Sequence, residues 1–242
     1  METESIAKRL ETIRAQIHDA EIKSGRTPGS VRLCAVSKFH PVQAVVEAIE
    51  AGQVLFGENR VQEASSKFSE LQTICSKPYQ LHIIGTLQRN KIKRAVECAS
   101  CIQSVDRIEV LEDIQKHAAS LQKNIEIMFE MHTGEESKAG ILCADELYAY
   151  AERCANGDFP NVTVTGLMTM APLTQDTNAI KRSFETLRKL QETLNQKFPG
   201  LPVRELSMGM SADFITAIEQ GSTLVRIGTA IFGERQYGAV QA

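Results

Sequence analysis

Residues 203–233, VRELSMGMSADFITAIEQGSTLVRIGTAIFG, carry the same device twice. An apolar run, 203–207, passes through Gly209 to Ser211, where a helix starts. A second run, 223–227, passes through Gly228 to Thr229 and a short helix. Two strands joined by a helix pair in parallel, through a right-handed crossover. Moving toward the N-terminus, the same beat repeats. Strand 162–168 precedes a helix over 176–197, in which Ile180, Phe184, Leu187, Leu190 and Leu194 recur at spacings of three and four. Strand 125–131 precedes helix 144–155. Strand 101–104 precedes helix 106–122, and strand 80–84 precedes a basic helix over 88–98. Strand 53–56 precedes helix 59–74, and strand 33–37 precedes helix 42–51, opened by Pro41. A charged amphipathic helix comes before them all. Eight strands alternating with helices predict an α/β fold, a single (β/α)8 TIM-like barrel with an extra N-terminal helix, in one domain over 1–242. An open doubly wound sheet is the alternative closure. In both, function belongs at the carboxyl ends of the strands.

Composition narrows the class. The 242 residues suit one barrel. A formal net charge of −3 gives no general attraction to nucleic acid. The apolar runs are too short to span a bilayer, and the N-terminus lacks the apolar core of a signal peptide. The expectation is a reduced, cytoplasmic protein. Of the six cysteines, Cys98 and Cys101 have CxxC spacing but no second pair for a zinc site. A redox dithiol is the other use of that spacing. Cys34 and Cys143 read as buried small hydrophobes.

The strand ends carry the candidate residues. The first ends in Ser37-Lys38. A lysine where an apolar strand meets its loop is partly desolvated, which frees its amine to attack a carbonyl; a solvated surface lysine is the plainer reading. His82, near the end of the third strand, is a ligand contact or a hydrogen-bonded core histidine. Met168, at the end of the sixth, packs on a flat ring or is plain core. The seventh and eighth strands each meet a glycine, a hydroxyl and a helix start. Glycine admits an anion close to the backbone, and the helix start offers free N–H groups. Barrels often hold phosphate after these two strands. A reactive lysine and a phosphate cradle suit a phosphorylated aldehyde, either pyridoxal 5′-phosphate (PLP) or the sugar phosphate of a Schiff-base aldolase.

Seven segments break the tie by resemblance. They are AVSKFHP (35–41), FGENRVQE (56–63), HIIGTLQRNK (82–91), SVDR (104–107), GEESKAG (134–140), GLMTMAP (166–172) and the long stretch 206–233. In this order they resemble the pyridoxal phosphate homeostasis protein family, whose barrel is similar to the N-terminal domain of alanine racemase. Two segments depart from the family's pattern: Arg60 stands where an aromatic residue is usual, and Met131-His132 replace a valine and an asparagine.

The resemblance implies that Lys38 holds PLP as a Schiff base. It implies that Ser207, Gly228 and Thr229 bind the phosphate and that Arg226 faces the pyridine nitrogen. Asn59, His82 and Met168 would line the pocket. It implies a store or carrier of PLP, with apo-PLP-dependent enzymes as its partners and no established enzymatic activity; a monomer is expected because the barrel needs no partner to complete the site. An amino-acid racemase is the alternative. Alanine racemases take a second base from an additional domain, for which this sequence has no counterpart after the eighth strand. Arg226, always protonated, would leave the ring nitrogen unprotonated and weaken carbanion chemistry.

Overall fold

The structure, a computed structural model, describes residues 4–134, 139–201 and 203–234. The strands are β1 (Arg32–Val36), β2 (Leu55–Glu58), β3 (Gln80–Ile83), β4 (Cys101–Val105), β5 (Ile125–Glu130), β6 (Val162–Met168), β7 (Glu205–Ser207) and β8 (Leu224–Ile227). All pair in parallel, in sequence order, and β8 closes on β1 through Cys34↔Arg226 and its neighbours. The closed barrel excludes the open sheet. The helices are α1 (Ile6–Lys23), α2 (Val42–Glu50), α3 (Val61–Ile74), α4 (Ile92–Cys98), α5 (Ile108–Ser120), α6 (Ala144–Ala155), α7 (Thr177–Lys197), α8 (Phe214–Glu219) and α9 (Thr229–Phe232). No helix among the described residues is long and apolar enough to cross a membrane.

Strand alternation sorts the side chains into two cores. Ala35, Phe56, Leu81, Ile83, Ile102, Ile127, Phe129, Leu167, Leu206, Val225 and Ile227 face outward and pack under the helices. Cys34, Leu55, Cys101, Met128, Met168 and Leu224 form a separate cluster inside the barrel. Helix α1 fills a place that the short α8 and α9 leave open. Its stripe of Leu10, Ile13, Ile17 and Ala20 is buried, and the helix contacts α8, α9 and α2. The extra N-terminal helix therefore covers the side of the barrel where β8 meets β1.

Three expectations are corrected. β2 runs over Leu55–Glu58, not 53–56. Gln53 lies before it, buried, with its amide donating to the carbonyls of Leu33 and Leu55, so a polar side chain does the work of strand pairing. α8 begins at Phe214, not near Ser211, because residues 211–213 form turns. Cys143 is exposed. It precedes α6 as the N-cap residue beside Leu142, which is 75% exposed, and only Ile141 of that apolar run enters the core.

Candidate functional site

Lys38 lies two residues beyond β1, half-buried, on a tight strap. The strap is held from below by charged groups. Lys67 of α3 is buried and donates to the Ser37 carbonyl (2.8 Å), to Glu58 (2.8 Å) and to Glu63 (2.9 Å). The Ser37 hydroxyl donates to Glu58, and the Phe39 N–H donates to Glu63 at 2.6 Å. Burial raises the Glu58 carboxyl, against the pull of Lys67. Phe39 has φ +65, a left-handed conformation that a bulky side chain rarely adopts. Such strain persists only where surroundings impose it, and here the Glu63 carboxylate does so. The unexpected Arg60 stacks its guanidinium over the Phe39 ring, 5.3 Å from its centre. His40 stacks on Phe232 of α9, tying the strap to the far side of the seam.

The end of β8 is pressed against the end of β1. A Cβ added to Gly228 would stand 3.1 Å from the Val36 carbonyl oxygen. Glycine at 228 thus brings Thr229, exposed at the first position of α9, to the same end of the barrel as Lys38. α9 has only four residues. Little macrodipole builds in one turn, so an anion there would meet backbone N–H groups rather than a helix field. After β7, Gly209 (φ +97) turns the chain so tightly that a Cβ would lie 2.6 Å from that of Ala217. Ser211, past this glycine, is exposed on the rim.

Ser207 sits elsewhere. It is wholly buried inside the barrel, and its hydroxyl donates to Gln103 and accepts from Arg226, both at 2.6 Å. Arg226 is also inside. It donates further to the carbonyl oxygens of Ser207 (2.7 Å) and Thr169 (2.8 Å). His82, at 1% exposure, meets Gln103 through Nδ1 at 2.7 Å. Burial pushes its pKa down to about 3, so the imidazole is neutral. Met168 lies in the interior cluster. Asn59 follows β2, half-buried; Gly85 packs so closely on it that a Cβ there would be 2.5 Å from the Asn59 carbonyl oxygen. Glu130 of β5 also faces inward. Among the described residues its Oε2 is buried without a hydrogen-bond partner, and burial, aided by Asp106 and opposed by Arg226, raises its pKa to about 7.

The structure therefore gathers Lys38, Gly228 and Thr229 at adjoining strand ends, with Arg226, Ser207, His82 and Met168 in the interior. Sequence reasoning missed Gln103, Glu130 and the Glu58–Lys67–Glu63 cluster. Their signal was a polar residue inside an apolar strand, as in CIQSV and IEIMFE. Burial raises the thiols of both Cys98 and Cys101, which weighs against the redox reading of their spacing. Glu135, Glu136, Ser137 and Lys138 of the GEESKAG segment lie outside the described residues.

Residues 9–236 match the family model described as alanine racemase, N-terminal domain. A pyridoxal phosphate homeostasis protein of Vibrio alginolyticus is 40% identical over 235 residues, 96% of this chain and 99% of that one. Its counterpart in Escherichia coli K12 is 36% identical over 239 residues, 96% and 97% of the two chains. The solved structure of PipY from Synechococcus elongatus PCC7942 with PLP bound has a TM-score of 0.84 at 36% identity, over 95% of this chain and 100% of that one. Alanine racemase from Streptomyces coelicolor A3(2), at 19% identity and TM-score 0.70, shares the fold over 92% of this chain but 58% of its own.

Proposed function

Because this chain belongs to the pyridoxal phosphate homeostasis protein family, with the barrel of the alanine racemase N-terminal domain, we propose that it binds PLP and stores or delivers it inside the cell. One observation carries the assignment to these residues: a half-buried lysine, a buried arginine and a glycine-fronted turn converge where β8 meets β1. When bound, PLP supplies an aldehyde that condenses reversibly with a primary amine, with loss of water. Lys38 provides that amine from a strap fixed by Lys67, Glu58 and Glu63. Arg226 would face the pyridine nitrogen and, its guanidinium staying protonated, would leave that nitrogen without a proton. The ring is then a poor electron sink, which suits holding over turnover.

Backbone and hydroxyl groups at Gly228 and Thr229 hold the phosphate, joined by the turn at Gly209–Ser211. Ser207 takes a different part from the one the resemblance implied. Its hydroxyl is committed to Gln103 and Arg226, so it holds the arginine. His82 and Met168 form the floor, and Asn59 the wall beside β2. The working form is a cytoplasmic monomer that exchanges PLP with apo-enzymes.

An absorbance spectrum of the purified protein, before and after borohydride, tests the reading. An imine band is expected that borohydride abolishes, as hydride adds to the C=N carbon and fixes the link as a secondary amine that maps to Lys38; Lys38→Ala loses the band and keeps the fold. A label on another lysine overturns the assignment. Mixing with an apo-PLP enzyme should restore that enzyme's activity, while amino acids are neither racemised nor decarboxylated. Turnover near the common enzyme value of about 10 per second would replace the carrier reading.

A further inference from the structure

The interior polar groups form a line with one direction. Arg226 has N–H donors and no acceptor. Its contact with the Ser207 hydroxyl oxygen therefore makes that oxygen the acceptor, and the Ser207 proton goes to Gln103 Oε1 at 2.6 Å. The other end of the same amide, Gln103 Nε2, then donates to His82 Nδ1 at 2.7 Å. Reversing the amide would aim two donors at the Ser207 oxygen and take from its proton the acceptor it now has. Arg226, Ser207, Gln103 and His82 are all at least nine-tenths buried, so water is poorly placed to repair that loss, and an unpaired group there is costly.

We infer that Gln103 is a positioning residue that sets the direction of this line, holding Arg226 on Ser207 at one end and His82 as the neutral Nε2–H tautomer at the other. The importance of the first end rests on the reading of Arg226 as the ring-nitrogen partner. The second end stands without it. It also decides a question raised by the barrel interior. His82, Cys101 and Glu126 bring ligand-type atoms within 4.8 Å of one another, as a metal site would. With Nδ1 accepting from Gln103 and Nε2 carrying the proton, His82 has no lone pair to give a metal. The trio is the end of a hydrogen-bond line and not a zinc centre.

The test begins with the wild-type protein as purified. Histidine is labelled with ¹⁵N, and the His82 signals are identified among five histidines by their loss in His82→Gln. Long-range proton–nitrogen correlations should show the Nε2–H tautomer, unmoved by added zinc chloride. An Nδ1–H tautomer, or zinc-induced shifts at His82, overturns the inference. Gln103→Glu then offers a carboxylate, which only accepts; the His82 proton should move to Nδ1 or both nitrogens should be protonated. Gln103→Met, close in size and without polar atoms, removes the acceptor of the Ser207 proton; in it the imine absorbance should shift and PLP should bind about tenfold more weakly, as for one lost buried hydrogen bond. Unchanged absorbance and affinity in a folded Gln103→Met would show that Gln103 does not position Arg226. The tautomer measured in the wild-type protein needs neither variant to fold. Failure of the wild-type protein to take up PLP would defeat the functional reading and leave the tautomer result intact.

Discussion

Glu130 and His82 face the same barrel interior, and burial moves both toward their neutral forms with opposite consequences for pH. Glu130 is raised from an ordinary value of 4.5 to about 7. Between those values the folded protein holds a proton that the unfolded chain has released, so stability falls as pH rises from 4.5 to about 7. His82 is lowered from 6.5 to about 3. There the unfolded chain holds the extra proton, so stability falls as pH drops below 6.5. Each slope approaches about 1.4 kcal/mol per pH unit where the two states differ by a full proton. Between 4.5 and 6.5 the slopes oppose and nearly cancel. Removing one group exposes the other. Glu130→Gln should gain stability over the wild type as pH rises from 5 to 8, seen by urea unfolding at both pH values. Parallel pH profiles for the two proteins would mean that Glu130 is ionised throughout. The pattern IEIMFE marks Glu130 as a polar residue in an apolar strand, but only the closed barrel shows its Oε2 without a partner among the described residues.

A strap and a turn, each of a few residues, hold the site, and both depend on contacts that a strand-by-strand reading does not contain. The strap 37–40 rests on Lys67, one helix later in the chain. Lys67→Met would leave Glu58 buried without its cation. A loss of about 3–5 kcal/mol is expected, the usual result of removing one partner of a buried pair, measured by denaturant unfolding. A loss below about 1 kcal/mol would place the cluster in water. In the turn after β7, Gly209→Ala meets both a left-handed φ of +97 and a Cβ contact at 2.6 Å. It should cost at least about 1–3 kcal/mol and weaken PLP binding. Gly200→Ala, where a Cβ meets nothing within 4 Å, is the control and should be near neutral. The eight strands and the helices between them were legible because apolar runs and helical periodicity alternate so regularly. Their ends were less so. Gln53 looks like strand but caps it with side-chain bonds, and residues 211–213 carry helix-start chemistry yet form turns. Within the site, Lys38, Gly228 and Thr229 were legible from position after a strand. The resemblance puts Ser207 with the phosphate, yet as the last residue of β7 it points inward, and only closure of the barrel brings it to Arg226. Gln103 could not be found by motif, because its partners lie 21 and 104 positions away.

The whole barrel closes where β8 meets β1, and α1 lies over that side with contacts to α8, α9 and α2. Leu10, wholly buried on α1, is therefore a test of closure as well as packing. Leu10→Ala should cost about 2–5 kcal/mol. Hydrogen exchange should quicken at β1 and β8 together, since both lose the same cover. Faster exchange confined to α1 would show that the helix frays independently of the seam. The seam also sets a schedule. During synthesis α1 emerges first, but α8 and α9 follow roughly 200 residues later, and at about 5–20 residues per second that is ~10–40 s. Through that interval the helix carries an oily stripe whose final cover does not yet exist. Translation speed is then part of this protein's fate, and the nascent chain is most open to chaperones, or to sticking to its neighbours, just before its last strand is made.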